Sequence, residues 1–91
     1  MPRRTRHQPA PDPFVSLAIQ WHLSRVAWEI RRLERDGGRW ARAHHLRAAE
    51  LAYDDLLVEA CGLAGIPVPD TTPPVRRLLM ESHLCSSGWT W

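Results

Sequence analysis

Two apolar stripes with helical spacing, separated by Asp36-Gly37-Gly38, constrain the fold most strongly. In each stripe apolar residues recur at steps of three or four, which lines one side of a helix. A glycine inside a helix costs about 1 kcal/mol relative to alanine, so we expect separate helices at about 13–36 and 39–64. With so short a connection, the two helices must run antiparallel and pack stripe against stripe. The stripes are Val15, Ile19, Leu23, Val26, Ile30 and Leu33, then Leu46, Ala49, Tyr53, Leu56, Ala60 and Leu63.

Capping residues predict the other boundaries. Asp12 before Pro13 is suited to open the first helix. Gly65 and the following prolines predict a stiff linker over 65–72, and Thr72-Pro73 predicts a third helix over about 73–87. The sequence thus indicates an all-α protein, with a long antiparallel hairpin and a shorter third helix. For that helix we expect a buried side made of Val75, Leu78, Leu79, Ser82 and Cys85, with Met80 and Leu84 beside it.

The beginning of the chain differs from the rest in composition. Residues 1–12 contain Arg3, Arg4 and Arg6 among prolines and have almost no apolar residues. Such a segment cannot bury enough apolar surface to fold, so we expect a disordered basic arm. The remaining residues, 13–91, are expected to form a single helical domain.

Phe14, Trp21 and Trp28 form a second line on the first helix, away from its stripe. They are spaced by seven residues and therefore drift only about 20° around the helix per step. A two-helix hairpin cannot bury both sides of a helix. Either Trp89 and Trp91 return to pack on these rings as a small internal core, or the rings face a partner, for which tryptophan is a favoured anchor. We interpret all five as partner-binding residues of a non-enzymatic interaction module, which docks on a larger protein or forms a homodimer that completes the bundle.

Arginines crowd the bend of the hairpin and support a second hypothesis. The net charge of +2 is too small to indicate nucleic-acid binding by itself. Guanidinium groups at helix ends can bind phosphates, so a small nucleic-acid-binding regulator that uses the arginine-rich bend and the N-terminal basic arm is the alternative. Against it, nearby carboxylates can pair with these arginines locally, and no helix-turn-helix spacing is present. In the interaction module the same residues would steer an acidic partner: Arg31, Arg32, Arg35, Arg39 and Arg42.

Catalytic, metal-binding and targeting motifs are absent from the sequence. His44 and His45 are adjacent and point about 100° apart on a helix, and no Cys-x-x-Cys occurs. The acidic residues Glu50, Asp54, Asp55 and Glu59 stand at metal-binding spacing but lack a facing acidic helix. We therefore predict no enzyme, no cofactor and no metal. Without a signal segment or an apolar run long enough to span a membrane, a cytoplasmic protein with reduced cysteines is expected.

Four segments carry a resemblance to known sequences. These are residues 49–54, 65–69, 76–81 and the ending Gly88-Trp89-Thr90-Trp91. In them the chain resembles small uncharacterised actinobacterial helical proteins that end in a Gly-Trp-x-Trp tail. The resemblance covers about half of the chain, implies a helical fold and an actinobacterial source, and implies no particular activity.

Overall fold

Three α-helices make up most of the chain in a computed structural model, which describes residues 12–35 and 40–91. They are α1 (Pro13–Arg35), α2 (Trp40–Ala64) and α3 (Pro73–Ser86). No β-strand occurs in these described ranges, so the all-α class is confirmed. Residues 1–11 of the expected basic arm and the Asp36-Gly37-Gly38 turn lie outside the described residues, as do the side chains of Arg39 and Arg42.

α1 begins as the capping residues predict. The side chain of Asp12 accepts a hydrogen bond of 2.9 Å from the backbone N–H of Phe14. Its carbonyl oxygen accepts bonds from the N–H groups of Val15 and Ser16, at 3.0 and 3.2 Å. Asp12 therefore partners several of the N–H groups that the first helical turn leaves without an internal acceptor.

Glycines with positive φ end α2 and α3. Gly65 has φ 72° and allows the N–H of Ile66 to reach back to the carbonyl oxygen of Cys61, at 2.9 Å. Gly88 has φ 96° and turns the chain so that the N–H of Trp89 bonds to the carbonyl oxygen of Leu84, at 3.0 Å. This is the closing pattern that favours glycine after a helix. At Gly88 it also turns the last residues back toward the hairpin.

The core is one cluster to which all three helices contribute. α2 lies at its centre, because it packs against both α1 and α3. The predicted stripes of α1 and α2 lie inside, fully or in part, except for Val15, which is exposed. Leu57 and Cys61 are also fully buried and were not part of the predicted stripe, because α2 has two neighbours rather than one. The buried cluster consists of Ile19, Leu23, Tyr53, Leu57, Ala60, Cys61, Met80 and Leu84.

α3 has the opposite orientation from the one that its sequence predicted. The prediction of its buried side was wrong, because all of the residues expected there are exposed: Val75, Leu78, Leu79, Ser82 and Cys85. Met80 and Leu84 are buried in their place. Polar pairing explains the orientation. Arg77 lies on the inner side and forms two bonds to the carboxylate of Asp54, from Nε at 2.6 Å and from Nη2 at 3.0 Å.

Candidate functional site

The side of α1 opposite the core is an exposed aromatic surface. Phe14, Trp21 and Trp28 are 78%, 56% and 55% exposed, and Leu17 between them is exposed as well. Sequence analysis missed Leu17, although it stands three residues after Phe14 and four before Trp21. We call these four residues the aromatic face. They stand outside the core cluster, so a shared internal core with the terminal tryptophans does not form.

The aromatic face is a ridge along α1, with a depression between Trp21 and Trp28. At 1.5 Å rise per residue, the three rings span roughly 21 Å along the helix. Ala18 and Ser24 are exposed and lie between the large side chains. Small residues between large ones leave holes that side chains of another helix can fill. The aromatic face therefore has the relief of a helix-packing surface.

Arginine side chains stack on both tryptophans. The guanidinium carbon of Arg25 lies 5.0 Å from the ring centroid of Trp21, and that of Arg32 lies 5.7 Å from the ring centroid of Trp28. Nη2 of Arg32 also contacts both carboxylate oxygens of Glu29, at 3.2 Å. A guanidinium stacked on a ring keeps its N–H edge available for an acceptor.

Arg25 differs from Arg32 in its electrostatic surroundings. Among the described residues, no carboxylate lies within salt-bridge distance of Arg25, whereas Glu29 neutralises Arg32. The aromatic face thus carries one positive charge that is paired with Glu29, on Arg32, and one that lies over a ring without a salt bridge among the described residues, on Arg25. This arrangement suits a ligand that brings a carboxylate.

The structure describes the side chains of only some of the arginines proposed for phosphate binding. Arg31 and Arg35 are exposed toward the end of α1, and Arg32 is engaged by Glu29 and Trp28. Arg39 and Arg42 have no described side chains. The described part of this set is a short basic end of α1 rather than a continuous basic surface.

The terminal tryptophans belong to the fold. Trp89 and Trp91 are half-buried and pack against the core cluster. Nε1 of Trp91 donates a hydrogen bond of 3.1 Å to Oη of Tyr53. The backbone N–H of Thr90 donates one of 3.0 Å to the side-chain oxygen of Gln20 on α1. Because the chain itself occupies these rings, we restrict the candidate docking surface to α1.

A polar cluster joins the C-terminal part of the chain to the hairpin. Oη of Tyr53 donates a hydrogen bond to Oε2 of Glu81. Burial, together with this bond, raises the pKa of Tyr53 well above its usual range. The pKa of Arg77 is also raised, since its guanidinium bonds to the carboxylate of Asp54. These groups are partnered with one another across helices, so we regard the cluster as structural.

The other exposed surfaces are weaker candidates for a functional site. The outer side of α3 exposes Val75, Leu78 and Leu79, which are aliphatic. On α2, the acidic residue Asp54 is already bound by Arg77. No group of three His, Cys, Asp or Glu in the described part of the chain could hold a metal ion.

Comparisons of the chain with models of known families, with curated proteins and with solved structures gave no match. None of the described helices is long and apolar enough to cross a membrane. The fold and the site together define a small three-helix protein with an aromatic ridge along its first helix.

Proposed function

We propose that this protein is a non-enzymatic protein–protein interaction module that docks through the aromatic face of α1. The observation that carries the proposal is the exposure of three aromatic rings, each more than half open to solvent, on the side of α1 opposite the core. The terminal tryptophans do not cover them, because they pack on the core instead. Aromatic residues that line one exposed surface are typical of interface anchors.

The expected affinity is modest if apolar contact acts alone. With on the order of 100 Å² of exposed surface on each ring, full burial of three rings contributes about 7.5 kcal/mol at about 25 cal/mol per Å². Association costs roughly 4–15 kcal/mol in lost freedom of motion. The rings therefore support a reversible complex, and polar groups around them must add both affinity and selectivity.

Photo-crosslinking in the cells that produce the protein tests this function. Phe14 is replaced by p-benzoylphenylalanine, which resembles phenylalanine and forms covalent adducts with neighbouring chains under light. The matched control places the same group at Leu51 on α2, which is also well exposed, at 59%. We expect a discrete adduct from position 14 and none from position 51. Adding Trp21→Ala to the variant labelled at position 14 should remove the adduct while the circular dichroism of the purified protein stays helical.

Two results would contradict the proposal. One is equal labelling from positions 14 and 51, which would indicate random collision. The other is an absence of adducts from position 14. An adduct with another protein or with a second copy of this chain would support it.

A nucleic-acid-binding regulator is the second candidate function. The observation in its favour is the exposure of Arg31 and Arg35 toward the end of α1. It ranks lower because Glu29 already pairs with Arg32, the neighbouring arginine of that set. Its strong dependence on salt separates it from docking by the aromatic face.

A further inference from the structure

We infer that the occupant of the aromatic face is an acidic amphipathic helix of another protein. This inference rests on the proposed docking function and names the chemistry of its partner. It follows from the spacing of the rings, from the charge that lies among them, and from what a second copy of this chain would bring to the same place.

The spacing of the aromatic face suits a helix. Phe14, Trp21 and Trp28 repeat every seven residues, and Leu17 follows Phe14 after three. A repeat of this kind stays aligned with the apolar stripe of a second helix that packs at a shallow angle. The depression beside Ser24, between Trp21 and Trp28, can accept one of its side chains. A length of roughly 21 Å matches about four turns of such a partner.

The positive charge of Arg25 on the aromatic face favours a partner that carries carboxylates. The guanidinium of Arg25 is stacked on Trp21 and, among the described residues, has no acidic neighbour within salt-bridge distance. A partner that covers Trp21 also removes water from Arg25, and burial of an unpaired charge is costly. A carboxylate at the edge of the partner's apolar stripe would pair with Arg25.

A second copy of the chain does not meet this requirement in the two simplest pairings of the same face. Residues 14–28 contain no Asp or Glu, and the next residue, Glu29, already pairs with Arg32. If two α1 helices paired antiparallel about Trp21, Arg25 would lie against Leu17 of the other copy. If they paired in parallel, Arg25 would lie against its own equivalent. Both arrangements bury Arg25 without an anion, whereas a helix flanked by glutamates does not.

Synthetic helices test the inference with the full-length protein. Three 21-residue peptides share a helical heptad repeat. The first has leucine at positions a and d with glutamate at e and g; the second has lysine at e and g; the third keeps the glutamates but has serine at a and d. Isothermal titration calorimetry measures their binding. We expect the glutamate–leucine peptide to bind at least tenfold more tightly than either of the others.

Two variants locate the binding on α1. Arg25→Glu should reverse the preference, so that the lysine peptide binds more tightly than the glutamate peptide. Trp21→Ala should weaken binding of the glutamate–leucine peptide by at least tenfold, which is typical of the loss of an anchor. Both residues are exposed, so helical circular dichroism should stay unchanged.

The outcomes separate this inference from the docking function beneath it. Equal binding of the glutamate and lysine peptides would show that the partner need not be acidic. If no peptide binds while the position-14 adduct with another protein persists, the partner is not a helix of this kind. Either result would overturn this inference and leave the proposed docking function intact. If no peptide binds and no adduct forms at position 14, both the inference and the docking function are contradicted. A dimer in light scattering that dissociates on Trp21→Ala would overturn the inference in favour of a second copy.

Discussion

Three segments of the chain meet at the hydroxyl group of Tyr53. The residue belongs to α2, its Oη donates to Glu81 of α3, and it accepts a hydrogen bond of 3.1 Å from Nε1 of Trp91. A typical hydrogen bond adds about 1 kcal/mol, and loss of one partner leaves the other group unsatisfied. One side chain therefore ties both α3 and the terminal residues to the hairpin.

The raised pKa of Tyr53 predicts a loss of stability in alkali. Burial and the bond to Glu81 keep the phenol protonated in the folded protein. In the unfolded chain it ionises near its ordinary pKa of about 10. Above that pH the unfolded state binds fewer protons than the folded one, so the free energy of unfolding falls as pH rises; below it, Tyr53 contributes no pH dependence.

Urea unfolding between pH 8 and 11.5 measures this effect. We expect the midpoint to decline above about pH 10. Tyr53→Phe is the control and should remove most of the decline. Burial also raises the pKa of the Cys61 thiol, which leaves a smaller decline that begins somewhat lower. The chain has one tyrosine, so absorbance at 295 nm follows its ionisation directly. Ionisation at the usual pH in the folded protein would contradict the prediction.

The orientation of α3 can be tested with two leucines that lie on opposite sides of this helix. Leu84 is fully buried and Leu78 is 66% exposed. Leu84→Ala should lower the free energy of unfolding by roughly 2–5 kcal/mol. Leu78→Ala should change it by less than about 0.5 kcal/mol. Urea or thermal unfolding measures both, and equal effects would mean that the outer side of α3 is buried in solution.

The same helix shows where sequence reasoning about the fold stops. Local periodicity predicted all three helices and their order, and Asp12 and Gly65 cap them as expected. α3 has apolar residues on both sides, so its spacing cannot decide which side is buried. The choice follows the bonds from Arg77 to Asp54 and from Tyr53 to Glu81, which join residues 23 and 28 positions apart. Such pairs leave no periodic signal.

The candidate site was predictable in the same partial way. Its rings could be named from their spacing of seven, because that spacing is local. Whether the chain covers them itself depends on where residues 88–91 return, and the turn at Gly88 sends these residues to Gln20 and Tyr53 instead. Sequence reasoning therefore kept Trp89 and Trp91 in the site, whereas in the structure they pack against the core.

Over the whole molecule, charge is unevenly distributed and partly neutralised. Exposed arginines lie toward the end of α1, and carboxylates lie farther along α2. The pairs Arg32–Glu29 and Arg77–Asp54 neutralise part of the positive charge and part of the negative charge. A net charge of +2 then leaves a weak overall field. Such a distribution can orient an approaching partner. In the described part of the chain, the end of α1 offers only a short group of exposed arginines that could replace counterions along a nucleic-acid backbone.

Salt dependence therefore separates the two candidate functions. Each phosphate contact steepens the fall of affinity with salt, so binding through six or more arginines weakens by about 10³-fold or more between 50 and 200 mM salt. Docking on the aromatic face through one or two charge pairs should weaken by only a few-fold over the same range. Fluorescence anisotropy with a 20-base-pair duplex and with the glutamate–leucine peptide measures both on one protein. We expect saturable binding of the peptide at 150 mM salt and none of the duplex. Tight duplex binding that disappears when Arg31, Arg32 and Arg35 become glutamine would instead make this protein a nucleic-acid-binding regulator.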